Sequence, residues 1–333
     1  MNNIPKYRNK QYINLSIIEE NYISIKEMSK KDIGACVKAN SYGFGTEQVA
    51  PKLHNLGCNT FFVADIVEAV QLRLILTDKN VDIITLNGYT GEQAFFDYKI
   101  IPSIIDLKQL NSDLLRKNHP VWLHFDVGIN RTGIKFNEKI MENIKAYNVI
   151  AVMAHLSSNI KQEEELKRSQ YIFDHFDCKK SLCKSNGDCL FDDRFYFDIL
   201  RIGHALYFSF NNLTKDAMQL TTTVLQTRSV MPGEYVGYGT EFNDKIRNMA
   251  TIDIGYSHGI SMLHSTFVVN DKVYKRFGRV SMDLCTIDLE NDQVNVNDVV
   301  YVFQYPMFNH LFGIPLGAMT TSLKKFDTYY LTK

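Results

Sequence analysis

Residues 33–57 read IGACVKANSYGFGTEQVAPKLHNLG, and this stretch decides the architecture. Ile33–Val37 is a short apolar run with Lys38 at its end. Asn40-Ser41-Tyr42-Gly43-Phe44-Gly45 follows, a run rich in turn formers. Thr46 offers an N-cap hydroxyl, Glu47–Leu56 reads as a helix, and Gly57 stops it. Strand, charged residue, loop and helix make one unit of a strand–helix repeat. The texture recurs downstream. Phe61–Ala64, Val81–Leu86, Ile100–Ile104, Val121–Phe125, Ile150–Ala154, Ser181–Lys184 and Phe197–Arg201 are further strand candidates. Helical segments such as Ile66–Leu76, Asn137–Lys145 and Glu163–Phe176 separate most of them. About eight units at intervals of roughly 20–30 residues predict an α/β fold, a (β/α)8 barrel of the TIM type.

After about Asn212 the pattern changes. Thr221–Val230, Tyr235–Tyr238, Met249–Ile254, Thr266–Val269, Arg279–Asp288 and Val299–Phe303 are strand-like, with turn signals at Pro232-Gly233 and Asn270-Asp271. The expected organisation is a barrel over residues 1–213 and a C-terminal mainly-β domain over 214–333.

Bulk properties narrow the function. The 333 residues suit about two domains. Net charge is +0, which gives no pull toward nucleic acid or an anionic membrane. No apolar run approaches the roughly 20 residues of a membrane span, and MNNIPKYRNK has no signal-peptide core. A cytoplasmic protein is expected. The six cysteines form no CxxC pair. Cys178, Cys183, Cys189 and His175 are close in sequence, but their spacing does not match structural zinc patterns. Reduced thiols and no metal are expected.

Barrel active sites sit at the C-terminal ends of the strands. Lys38, Asp126, Arg131, His155 and Arg201 all fall there. Each alone reads as a rim charge, and together they are more specific. A lysine amine forms Schiff bases with carbonyl compounds. That needs some neutral amine against a free pKa of about 10.4, and burial beside Arg131 or Arg201 would lower it.

The motifs then line up in order. Val37-Lys38-Ala39-Asn40-Ser41-Tyr42-Gly43-Phe44-Gly45 resembles the alanine racemase cofactor-lysine motif V-K-A-N-A-Y-G-H-G. Asp126-Val127-Gly128-Ile129-Asn130-Arg131-Thr132-Gly133 is similar to D-T-G-M-N-R-L-G. Arg201-Ile202-Gly203-His204-Ala205-Leu206-Tyr207 resembles R-P-G-I-A-L-Y. Val236-Gly237-Tyr238-Gly239-Thr240 resembles V-S-Y-G-x-T, Gly255-Tyr256-Ser257-His258-Gly259 resembles G-Y-A-D-G, and Gly278-Arg279-Val280-Ser281-Met282-Asp283 resembles G-R-V-x-M-D. The six motifs follow the family's order over nearly the whole chain.

The resemblance implies a pyridoxal 5'-phosphate-dependent amino-acid racemase, a head-to-tail homodimer acting on a small amino acid, alanine first. Serine, a larger amino acid, or a weakly active cofactor-binding homologue is the alternative. It implies that Lys38 holds the cofactor aldehyde and serves as one base. Tyr238, from the partner subunit, is the opposing base, and its phenol, with a free pKa of about 10, needs nearby positive charge to act. Tyr42 and the backbone at Gly203 and His204 take the phosphate. His155 packs beside the cofactor, and Arg201 faces the pyridine nitrogen. A guanidinium only donates, so that nitrogen is an acceptor and the ring a weak electron sink, which favours return of the proton over transamination. Arg131 orients the substrate carboxylate. Tyr256 lines the entrance, with Met282 and Asp283 nearby.

Departures from the family fall in four places. His124 stands where many members have a lysine, often carbamylated, and supports Arg131 only if neutral. Ungapped spacing puts Ser185 and Asn186 at the family's phosphate-binding serine. His258 replaces an aspartate. The C-terminal Tyr-Glu pair is absent, and Thr320-Thr321-Ser322-Leu323-Lys324-Lys325-Phe326 stands there instead, so that phosphate ligand is lost or replaced by a lysine. A basic amino-acid decarboxylase is disfavoured by Arg201 and by the lack of a glycine-rich phosphate loop. A single-barrel cofactor carrier is disfavoured by the β domain. A cofactor-free Schiff-base aldolase would lack near-visible absorbance that depends on Lys38.

Overall fold

The computed structural model describes residues 6–111, 115, 119–157, 161–183, 188–238, 243–303 and 316–332. The chain forms two compact units. One comprises Glu19–Leu206 and Phe210–Thr214. The other comprises the segment ending at Ile18, Tyr207–Ser209, and the chain from Lys215 onward.

This division differs from the contiguous 1–213 and 214–333 split at the N-terminus. The first strand, β1 (Lys10–Asn14), pairs antiparallel with β10 (Met218–Val230) and parallel with β16 (Asp327–Leu331). Its alternating burial is that of a half-exposed sheet strand, and its partners are hundreds of residues away in sequence.

The first unit is the barrel. Its strands are β2 (Asp32–Cys36), β3 (Thr60–Val63), β4 (Asp82–Thr85), β5 (Ile101–Ile104), β6 (Pro120–Phe125), β7 (Asn148–His155), β8 (Lys179–Cys183) and β9 (Ile199–Ile202). All ladders are parallel, in the order β8-β7-β6-β5-β4-β3-β2-β9. Closure between β8 and β9 comes from a few bonds: Asp198 N–H to Lys180 C=O at 3.0 Å, Lys180 N–H to the Asp198 carboxylate at 2.8 Å, and Ser181 Oγ to Ile199 C=O at 2.6 Å. Cys36, Phe62, Ile84, Ile101, Trp122, Met153 and Ile199 meet inside as a packed core. The eight strands are those read from the sequence, within two residues at most ends; Lys184 lies outside the described residues.

Two local details differ. Gly45, not Thr46, is the N-cap of helix Thr46–Asn55. The Asn40 carboxamide accepts the Thr46 N–H at 2.9 Å, while the Thr46 hydroxyl turns back to Ser41 Oγ and Val37 C=O. The helix expected over 137–145 is shorter, Ile140–Ile144.

The second unit is mainly β. With β1, β10 and β16 it holds β11 (Arg247–Ile252), β12 (Thr266–Val269), β13 (Lys272–Lys275), β14 (Cys285–Glu290) and β15 (Val299–Phe303). The Asn270-Asp271 turn joins β12 to β13, both residues at positive φ as a tight hairpin requires. In the run 235–238 only Tyr235 makes a β-bridge and residues 237–238 form a turn, and the strand expected over 279–288 begins only at Cys285. No described helix is long and apolar enough to cross a membrane.

Candidate active site

The strand ends of the barrel surround a cavity of about 650 Å³, within the range of small-molecule sites. Lys38, Tyr42, His124, Arg131, His155, Arg201, Gly203 and His204 line it, every one from the barrel unit. The structure therefore brings together most of the expected cofactor residues and the expected carboxylate-binding arginine. Ser185 and Asn186 lie outside the described residues.

Lys38 opens an unusual piece of backbone. Ala39, Asn40, Ser41 and Tyr42 all have φ between +51° and +56°, a single left-handed helical turn. For L-residues this conformation costs roughly 1–2 kcal/mol each. The cost is met locally. Glu68 accepts the Ala39 N–H and the Ala64 N–H, each at 2.7 Å, and the Ser41 N–H bonds Val37 C=O at 2.9 Å. Gly43 and Gly45, at φ 86° and 88°, let the chain leave the turn. The turn rolls Tyr42 back toward Gly203. A Cβ at residue 203 would run into the Tyr42 hydroxyl and ring, so only glycine lets strand β9 end in this cradle.

Arg201 is buried at the end of β9. Its Nη1 donates to Ser181 C=O at 2.9 Å and its Nη2 to Ala154 C=O at 2.6 Å, and the guanidinium lies 5.9 Å from the Phe62 ring centroid. Two of its five donors thus fix its plane against carbonyls of β8 and β7. Arg131 sits on the loop after β6, ordered by the Asp126 carboxylate, which accepts from Gly128 N–H and Asn130 N–H at 3.1 Å.

The histidines of the wall are neutral. Burial, then the charges of Arg201 and Arg131, pushes the His124 ring down to about 3. The same causes push His155 to about 3, with Lys38 adding to them. Burial pushes His204 to about 4. His124 therefore meets the condition set by its position, a neutral ring next to Arg131. It is 5% exposed, and neither ring nitrogen has a hydrogen-bond partner among the described residues. A buried imidazole with no partner on the wall of a cationic cavity points to a polar ligand. The lining also includes Cys36, Asn87, Thr132 and Ser157, which were not anticipated. Asn87 and Ser157 follow strand ends, so their position was the available signal.

The remaining expected residues belong to the β unit and are absent from the cavity lining. Tyr238 is 81% exposed, Tyr256 43% and Met282 56%. Asp283 is bonded to Ser257 and Lys325. Among the described residues no group of three or more His, Cys, Asp or Glu could hold a metal.

A phosphorylated aldehyde fits this wall. The cavity offers an amine for the aldehyde, a glycine-opened cradle, cations for the phosphate and a carboxylate, and a buried imidazole without a partner.

Comparisons with known proteins agree with the geometry. The family model described as alanine racemase, N-terminal domain, matches residues 13–210, and that of the C-terminal domain matches 217–312. The curated protein named alanine racemase from Rickettsia peacockii is 33% identical over 300 residues, covering 83% of this chain and 84% of its own. A Bartonella henselae alanine racemase, solved with covalently bound pyridoxal phosphate, superposes with TM-score 0.88 and 26% identity over 98% of this chain and 100% of its own. A biosynthetic alanine racemase from Pseudomonas aeruginosa has the same fold, with TM-score 0.86 and 23% identity over 98% of this chain and 100% of its own.

Proposed function

This chain belongs to the alanine racemase family, and from that premise we propose that it interconverts L- and D-alanine with pyridoxal 5'-phosphate bound to Lys38. The observation that carries this reading is the shared wall of Lys38, Arg201 and the Tyr42–Gly203 cradle. The cofactor, when bound, supplies an aldehyde for the substrate amine and a conjugated ring that spreads the electron pair left when the α-proton departs.

The residues of the chain do the rest. Tyr42 and the backbone at Gly203 and His204 hold the phosphate, with Ser185 and Asn186 as further partners. Arg201, which stays protonated and only donates, would face the cofactor's ring nitrogen without giving it a proton, a setting that would favour return of the proton to carbon over transamination. His155, uncharged at neutral pH, packs beside the ring. Arg131 orients the substrate carboxylate, and neutral His124 leaves that guanidinium its full charge.

Racemisation removes a proton from one face of the α-carbon and returns one to the other. Lys38 Nζ serves one face. The opposite face belongs to Tyr238 of the partner subunit in a head-to-tail homodimer. Its 81% exposure supports this, because a phenol acting as a base needs a desolvated, cationic setting that open solvent does not provide. Tyr256, Met282 and Asp283 of the same β unit line the substrate entrance. A cytoplasmic location fits the free thiols of Cys36, Cys58, Cys178 and Cys285.

The test is direct. Purified protein is incubated with pyridoxal 5'-phosphate and single L-amino acids, and the D-enantiomers are quantified by chiral chromatography. D-alanine should dominate. D-product from serine or a larger amino acid would keep the mechanism and reassign the substrate. No D-product from any of them would overturn the proposal.

A further inference from the structure

The C-terminal segment that departs most from the family, residues 320–326, is knitted onto the turn carrying Tyr256. Lys324 N–H donates to His258 C=O at 3.0 Å, and Ser322 Oγ donates to Gly259 C=O at 3.0 Å. A Cβ at Gly259 would strike the Ser322 carbonyl, and Phe326 meets the His258 ring edge-on with centroids 6.3 Å apart. Lys325, at the left-handed φ of 60°, extends its ammonium to Ser257 Oγ at 2.9 Å and Asp283 Oδ1 at 3.2 Å. Ser257 Oγ in turn donates to Asp283 Oδ1 at 2.6 Å. The three groups form a closed triangle, with the Lys325 ammonium donating to both of the others.

The triangle is not needed to hold the two turns together. The backbone already does so, through Tyr256 N–H to Ser281 C=O at 3.1 Å and Ser257 N–H to Met282 C=O at 2.8 Å. Nor does an exposed ion pair add much stability. What Lys325 adds is charge. Asp283 is 52% exposed in its side chain, and the Ser257 hydroxyl and then the Lys325 ammonium hold its carboxyl below the usual range, so it is ionised at neutral pH.

We propose that Lys325 is a positioning residue that masks the Asp283 carboxylate at the substrate entrance, so that a zwitterionic amino acid enters carboxylate-first toward Arg131. This rests on the reading above that Tyr256 and Asp283 face the entrance of an alanine racemase site. An unmasked carboxylate there attracts the substrate ammonium and repels its carboxylate, which favours the wrong end. A cation at residue 325 cancels that field at short range.

The experiment is steady-state racemisation of L-alanine by the cofactor-loaded enzyme and its K325M, K325R, D283N and K325M/D283N variants, at low and at 1 M salt. K325M should raise KM by about threefold at low salt, the effect of one charge a few ångströms away in water, with kcat unchanged. The increase should shrink to about 1.5-fold or less at 1 M salt, where the Debye length is about 3 Å. K325R should match the wild type, and D283N should abolish the effect of K325M. A purely structural role would instead survive salt undiminished and persist in the D283N background. Either of those results, or an unchanged KM in K325M beside an active wild type, overturns the masking alone. A wild type that forms no D-alanine overturns the masking and the racemase reading together.

Discussion

The two units present their chemistry in opposite ways. At the barrel mouth, Arg201 is 4% exposed and fixed by two backbone carbonyls, and His124 and His155 are pushed to about 3, while Lys38 is half-buried and Arg131 lies exposed on its loop. In the β unit, the candidates lie on open surface, with Tyr238 at 81% exposure. Preorganised groups in a dry site act strongly on developing charge, whereas solvated ones do not. On the proposed assignment, the barrel carries one half-site, and the β unit carries a second that would become chemical only when another surface covered it.

The sharpest way to break this contrast is to disable each half separately. Lys38→Ala should lower alanine racemisation by about 10³-fold or more, since a positioned acid–base group alone contributes on that order. It should also remove the cofactor's near-visible absorbance. Tyr238→Phe should lower the rate by about 10²- to 10⁴-fold while leaving that absorbance and the unfolding midpoint unchanged, because its side chain supports no packing. Mixing the two inactive chains should restore activity at about one quarter of the sites, the statistical share in which an intact lysine meets an intact tyrosine across a twofold dimer. No recovery after verified subunit exchange would place both bases in one chain and remove the contrast.

The same division governs what could be read in advance. The barrel strands were legible because each is a short apolar run between helical segments, and its chemistry was legible because strand ends are where such sites form. The left-handed turn at 39–42 was not, since Ala, Asn, Ser and Tyr have no local reason to adopt it together; only Gly43 and Gly45 hinted at unusual backbone. The Thr46 cap was misassigned because the Asn40 side chain, six residues earlier, already satisfies that amide. In the β unit, local pattern failed where pairing is remote. Nothing in Lys10–Asn14 announces partners at 218–221 and 327–331. The exposure of Tyr238 was equally invisible, because a motif gives a residue's type and order but not the solvent around it.

Acidity offers the next test of the buried half. The folded rings of His124 and His155 sit below the unfolded value of about 6.5. Their neutral form contributes full stability above pH 6.5. As pH falls below 6.5 the unfolded chain takes up protons that the folded chain does not, and stability declines until the folded rings titrate near 3. At pH 5 each ring costs about 2 kcal/mol relative to neutrality. His204 and His264, pushed to about 4, act in the same direction. The urea midpoint should therefore drop between pH 7 and pH 5, and His124→Gln should lessen the drop by about a quarter. A midpoint independent of pH over that interval would mean these rings are not held neutral.

The smallest effect should come from one methyl group at the cradle. Gly203 has no space for a Cβ because the Tyr42 hydroxyl and ring, and the Cys36 Cβ behind them, occupy it. Gly203→Ala forces Tyr42 to move, since the end of β9 is pinned by its ladder to β2. Overpacking of this kind costs about 1–3 kcal/mol, and part of it falls on the geometry of the cradle. The dissociation constant for pyridoxal 5'-phosphate, followed by absorbance, should rise about tenfold, equivalent to 1.4 kcal/mol. Tyr42→Phe in the same background should recover some of the fit but not the lost hydroxyl. If Gly203→Ala binds the cofactor as tightly as the parent, the phosphate is held elsewhere on the barrel mouth, and the barrel half-site is completed by other residues.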